Sequence, residues 1–274
     1  MNYQQQVNAA VDYLRSRGIQ APEAGIILGT GLGNLATEIV PEIEVLYSDI
    51  PHFPEATVEF HAGKLIYGTL AGRKVLALKG RFHFYEGYTM QQITLPVRVM
   101  KLLGVKWLFI SNAAGGMNTA LKKGDLMLID DHINLQPGNP LIGANVNEWG
   151  PRFPDMSRPY SPVLNALLKQ AAAEQQIALR EGVYVSVPGP NLETRAEYRF
   201  LHRIGADAVG MSTVPEVIAA NHGSLPCAAI SVITDECDPD NLKPVDIAEI
   251  IEVAGKAELK LTAVFKRAIE LLPA

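Results

Sequence analysis

Ala24-Gly25-Ile26-Ile27-Leu28 runs without interruption into Gly29-Thr30-Gly31-Leu32-Gly33-Asn34. A short apolar run ending on a glycine-rich turn reads as a buried strand. With the helical stretch expected next, it gives the strand, turn and helix order that aims backbone amides at a phosphate. The spacing GTGLGN is not the GxGxxG of dinucleotide sites and lacks the lysine of a P-loop. The anion it suits is therefore small and held partly from elsewhere, a description that inorganic phosphate fits.

Working outward, Tyr3, Val7, Ala10, Val11 and Leu14 recur at helical spacing before Gly18, which predicts a first helix ended by glycine. Further strands are expected at Lys64 to Thr69, Arg73 to Leu78, Trp107 to Ser111, Leu126 to Ile129, Gly182 to Val187, Ala206 to Val209 and Pro226 to Ile233. Ser161-Pro162 reads as a cap and first-turn pair ahead of an apolar face running from Val163 to Ala172. Asp246 and Glu249 have capping-box spacing before a long amphipathic C-terminal helix. The order is α/β throughout. The strands at Lys64 and Arg73 are joined only by Leu70-Ala71-Gly72, so they must pair antiparallel and the sheet is mixed.

The chain has 274 residues and a net charge of −5, with no linker, repeat or basic run, so it reads as one domain, 1–274. A small molecule is the expected partner, rather than nucleic acid or a membrane. Met1 to Gln6 lacks the features of a leader, and no window reaches the roughly 18 apolar residues of a membrane span. Cys227 and Cys237 form neither a disulfide framework nor a zinc set, and a cytoplasmic location is expected.

Five stretches put polar groups at the ends of apolar strands, where α/β sheets bind ligands. Gly80-Arg81-Phe82-His83-Phe84-Tyr85-Glu86-Gly87 supplies a guanidinium, an imidazole and a phenol, suited to an anion lying beside a ring. The bland reading is a solvated loop with an Arg81–Glu86 surface pair. Ser111 to Gly116 offers small residues with accessible amides. Glu193, after Pro188-Gly189-Pro190-Asn191-Leu192, is either a site carboxylate or a charge offsetting a helix dipole. Ser212 reads as a helix cap that can also face an anion. In the acidic loop from Thr234 to Asp240, Pro239 and the lack of glycine argue against calcium, and no metal is expected. Together these give an anion cradle (Thr30, Arg81, His83, the Ala113 amide, Ser212), a flat apolar wall (Tyr85, Leu192, Val209, Met211) and two carboxylates, Glu193 and Asp235. No nucleophile triad accompanies them, so the bound anion can itself be the nucleophile.

Eight strings occur in one order between Ile27 and Val217: ILGTGLG, FHAGKLIYG, GRFHFYEG, SNAAGGMN, DHINLQPGNPL, RFPDMS, GPNLET and ADAVGMSTVPEV. In these the chain resembles the trimeric, low-molecular-mass class of purine nucleoside phosphorylases. The resemblance implies a large mixed sheet curling into a barrel flanked by helices, and phosphorolysis of purine nucleosides to free base and ribose 1-phosphate, with phosphate as co-substrate and no cofactor. It assigns Thr30, His61, Arg81, His83, the Ala113 amide and Ser212 to phosphate, and Tyr85 and Met211 to ribose. Glu193 falls to N1–H of a 6-oxopurine, with Asn112 and Tyr184 as support from behind. It further implies a homotrimer in which Phe153 reaches the neighbouring site. Phe82, Phe84 and Glu86 are left as packing or bracing residues.

Three departures from the family pattern bear on the base and the 5′ end. Asp235 stands where asparagine is usual, Leu192 where phenylalanine is usual, and Ile247 or Ala248 where a late-helix histidine is usual. Thr30 for serine is a mild change. An asparagine donates to purine N7, whereas an ionised aspartate only accepts. Asp235 is therefore expected either to hold a proton, with a raised pKa, or to accept from a 6-amino group, which would admit adenosine. The expected catalytic set is His83, Glu193 and Asp235. The nearest rival is a methylthioadenosine phosphorylase, which lacks the glutamate; a nucleotide-binding protein without turnover is the other.

Overall fold

The computed structural model describes residues 1–55, 63–244 and 246–273. His61 lies outside the described residues. The strands are β1 (Ala24–Leu28), β2 (Val40–Leu46), β3 (Lys64–Leu70), β4 (Arg73–Lys79), β5 (Trp107–Gly116), β6 (Leu126–Asn134), β7 (Leu179–Ser186), β8 (Ala208–Gly210) and β9 (Cys227–Glu236). The helices are α1 (Tyr3–Ser16), α2 (Met90–Leu103), α3 (Pro162–Glu174), α4 (Arg195–Arg203), α5 (Val214–His222) and α6 (Ile247–Glu270).

The strands form one mixed sheet in the order β2-β3-β4-β1-β5-β8-β7-β6-β9, and β9 pairs back onto β5. That last pairing closes β5, β8, β7, β6 and β9 into a barrel, with β1 to β4 continuing as an open wing. β1 is the wing strand that borders the barrel, parallel to both β4 and β5 and buried at every position, which is why it reads as an unbroken apolar run. As their short connection requires, β3 and β4 are antiparallel. Helices cover both faces. α1, α2 and α5 share one core, while α3 and α6 share the other, where Phe265 meets Phe109 at 5.5 Å.

Four local expectations change. The turn after β1 leads into a single 3-10 turn, Asn34–Glu38, rather than a helix, because the chain extends from Ile39 into β2. β2 itself has no counterpart in the sequence reading: it is a largely exposed strand at the end of the sheet order, contains Pro41 and shows no clean alternation. β5, β6 and β9 each run several residues further than expected, so the groups placed on loops after them stand on the strands. Barrel closure is the reason, since Gly115 and Gly116 must pair with both β8 and β9. Finally, Asp246 caps α6 by accepting from the Ala248 amide, but Glu249 is drawn away to Lys123 at 2.5 Å and no capping box forms.

Candidate active site

The open ends of β1, β4, β5, β8 and β9 converge on a cavity of about 330 Å³. Thr30, Arg81, His83, Ala113 and Ser212 line it, together with Tyr85, Leu192, Glu193, Val209, Met211 and Asp235. Gly29 lets the wall form: a Cβ there would stand 2.8 Å from the Ser111 carbonyl oxygen on β5. A second cavity of about 720 Å³ shares Leu192, Glu193, Tyr198, Thr234, Asp235 and Ile250 with the first, so the carboxylate end is the roomier one.

At the cradle end Arg81 is only 2% exposed, which removes the surface-pair reading. Its Nη1 donates to Ser212 Oγ at 2.8 Å and to Thr213 Oγ1 at 3.3 Å, and its Nε lies 3.4 Å from Glu216 Oε1. Glu216, equally buried, stands in the first turn of α5 and supplies the countercharge that lets a guanidinium stay in the interior. Thr213 occupies the cap position of α5 at φ 73° with no side-chain capping bond. Its hydroxyl instead accepts from Asn112 Nδ2 at 2.8 Å as well as from Arg81. Ser212 is accordingly not the cap, and its Oγ faces Arg81 and the cavity.

His83 is held by Glu86, whose Oε1 accepts from the His83 amide at 2.8 Å and lies 2.8 Å from Nδ1. That contact fixes the orientation of the imidazole, which lines the cavity. Tyr85 stacks on the imidazole at 4.7 Å and 13°, and burial, with the Glu86 charge second, pushes its hydroxyl up to about 12. Glu86 is thus a brace, and Phe82 is a packing residue against Tyr47 at 5.3 Å. Phe84 is neither, being exposed. Tyr184 is fully buried; its hydroxyl accepts from the Ser212 amide at 3.3 Å, and burial raises it to about 12.

At the other end Glu193 precedes the capping box of α4, in which Thr194 and Glu197 exchange bonds. Glu197 thereby takes the helix-terminal role, and Glu193 turns to the cavity. Burial raises the Glu193 pKa above the ordinary carboxylate value, with the Asp235 and Glu197 charges adding to it and a Tyr198 hydrogen bond opposing it. Asp235 Oδ1 accepts from the Thr234 hydroxyl at 2.9 Å, and Oδ2 accepts from the Cys237 thiol at 3.0 Å. Met211 is pressed against Gly189, where a Cβ would stand 2.3 Å from Sδ. Ile247, at the start of α6, lines the cavity where the histidine position falls.

Phe153 does not join this group. It is 86% exposed and lines a separate cavity with His132, Leu141 and Met156. Thr213 and Glu216 were missed by sequence reasoning. Glu216 looks like any first-turn acid, and only a φ of 73° at a β-branched residue marks Thr213 as unusual.

Residues 23–270 match the sequence profile of the phosphorylase superfamily. The chain is 49% identical over 252 residues to purine nucleoside phosphorylase 1 of Bacillus subtilis, covering 92% of this chain and 93% of that one. It is 45% identical to the Bos taurus purine nucleoside phosphorylase, covering 91% and 89%. Among solved structures, purine nucleoside phosphorylase of Schistosoma mansoni in complex with adenosine superposes with a TM-score of 0.93 at 41% identity, covering 98% of each chain. The inosine complex from the same organism superposes equally well, with 0.93 at 41%, covering 98% and 97%. With its barrel, its buried cradle and these relatives in agreement over nearly its whole length, the chain belongs to the low-molecular-mass purine nucleoside phosphorylases of the phosphorylase superfamily.

Proposed function

We propose that the chain phosphorolyses inosine and guanosine in preference to other purine nucleosides, with adenosine as a slower substrate. The observation that carries this reading is the meeting of Glu193 and Asp235 at one end of a cavity whose other end holds Arg81, His83 and Ser212. Phosphate sits among Thr30, Arg81, His83, the Ala113 amide and Ser212, with His61 as a further ligand. Tyr85, Val209 and Met211 flank the ribose, and Leu192 packs on the base.

A phosphate oxygen attacks C1′ as the C1′–N9 bond breaks, and the bonding pair passes to the purine. Arg81, tied to Ser212 and Glu216, and His83, braced by Glu86, hold the nucleophile in line. Ionised Glu193 accepts N1–H of a 6-oxopurine, and Asp235 gives a proton to N7, so the charge leaving with the base is met at both edges. The same Asp235, when ionised, accepts from a 6-amino group, which is the source of the adenosine side reaction. Ile247 gives the 5′ end an apolar border, which favours tolerance of a bulkier 5′ substituent and, with Asp235 after Thr234, suits a methylthioadenosine phosphorylase. Glu193 argues against that second reading.

The chain works as one domain, in the cytoplasm, and as a homotrimer in which exposed Phe153 covers the ribose in a neighbour. Among the described residues no helix is long and apolar enough to cross a membrane. A panel of inosine, guanosine, adenosine and methylthioadenosine, with and without phosphate, tests the reading. Base release from inosine and guanosine should require phosphate and exceed that from the amino-substituted pair. Preference for methylthioadenosine would overturn it. An Asp235→Asn variant fully as active on adenosine would remove the role given to that carboxylate.

A further inference from the structure

Two buried polar side chains lie between the carboxylates at the base end, and phosphorolysis as described uses neither. Tyr198 on α4 and Cys237, one residue past β9, are 3% and 1% exposed and share a small core with Val185 and Val209. The Cys237 thiol donates to Asp235 Oδ2 at 3.0 Å, and Tyr198, in the same core as Cys237, lines the cavity beside Glu193 and interacts electrostatically with both groups. Gly115 provides the room, since a Cβ there would stand 2.5 Å from Cys237 Sγ and 3.1 Å from Asp235 Oδ2. Glu193 and Asp235 therefore stand at the two ends of a chain of polar groups, Glu193–Tyr198–Cys237–Asp235.

Each inner link of this chain carries one proton, so the direction of its hydrogen bonds follows the state of Glu193. With Glu193 ionised, Tyr198 O–H donates to it and Cys237 S–H donates to Asp235. With Glu193 protonated, its proton goes to the Tyr198 oxygen or to a ligand, and Tyr198 O–H swings to the Cys237 sulfur. The first arrangement presents an acceptor to N1–H of a 6-oxopurine. The second presents a donor to the bare N1 of a 6-aminopurine. Burial and the nearby carboxylates hold both the thiol and the phenol above their ordinary values, so both remain donors through neutral pH. Glu193 also faces Glu197 from α4, and Asp235 faces Lys123, which is itself paired with Glu249 of α6.

We propose that Tyr198 and Cys237 are positioning residues that couple Glu193 to Asp235 and set the preference between 6-oxo and 6-amino purines. The proposal rests on the assignment of those two carboxylates to the base. Its test is kcat/KM for inosine and adenosine from pH 5 to 9 in the parent chain, Tyr198→Phe, Cys237→Ala and Cys237→Ser. Tyr198→Phe removes a donor from ionised Glu193, so the acid limb for inosine should move up by about one pH unit, and the inosine-to-adenosine ratio should fall about tenfold on the acid side of that limb. Cys237→Ala should lower the ratio in the same direction, and Cys237→Ser, which keeps a donor, should restore it. An acid limb and ratio unchanged in Tyr198→Phe and Cys237→Ala, or equal losses on both substrates without a pH shift, would reduce the pair to packing. A parent chain whose inosine rate ignores pH while phosphorolysis persists would instead overturn the assignment of Glu193.

Discussion

Thr213 holds a β-branched side chain at φ 73°, a conformation that costs about 1–3 kcal/mol and persists only where something else requires it. Here the requirement is visible, because the strained backbone delivers one hydroxyl to both Arg81 and Asn112. Replacing Thr213 with glycine should therefore separate stability from function. Glycine relieves the strain, so the thermal midpoint should hold or rise, while loss of a hydrogen bond to a charged group should raise KM for phosphate about tenfold. A lower midpoint with an unchanged phosphate KM would show that the strain serves folding instead. Arg81 and Ser212 stand out in the sequence as candidate ligands, but Thr213 and Glu216 do not. Their roles arise where the loop after β4 meets the first turn of α5, over a hundred residues away.

At the scale of the element, the start of α4 sets the base end of the cavity. Thr194 and Glu197 close a capping box that fixes the entry angle of the chain, and Glu193 is the residue immediately before it. Thr194→Ala should cost about 1 kcal/mol in a denaturant titration. It should also raise KM for inosine several-fold while leaving KM for phosphate near its original value, since the cradle belongs to other elements. Equal changes in both constants would mean that the cap acts on the whole barrel. The capping residues of α3 and α6, Ser161 and Asp246, are plain in the sequence because caps are local chemistry. The lengths of β5 and β9 are not, because Asn112 to Gly116 are drawn into a strand by pairing with residues 231–236 of β9 and with β8, all distant in the chain.

At the scale of the molecule, one pairing matters most. Joining β9 to β5 turns a sheet into a barrel and brings residues from position 30 to position 235 around one cavity. Phe153 remains outside it, 86% exposed, on a face that includes Leu141 and Met156. If that face meets a neighbouring copy, light scattering should give three times the 29.8 kDa chain mass. Phe153→Ala should then raise KM for the nucleoside by about tenfold without lowering the melting temperature of the isolated fold. A monomer with full activity would exclude a shared site. The sequence by itself determined the α/β class, the buried β1, the antiparallel β3–β4 pair and the cluster of anion-binding candidates. Each follows from periodicity, turn length or side-chain chemistry within a few residues. Only the tertiary structure decided the exposed strand β2, the Arg81–Glu216 pair and the chain from Glu193 to Asp235. The first depends on pairing with β3, and the other two on distant segments meeting in a low-dielectric interior, which no local pattern encodes.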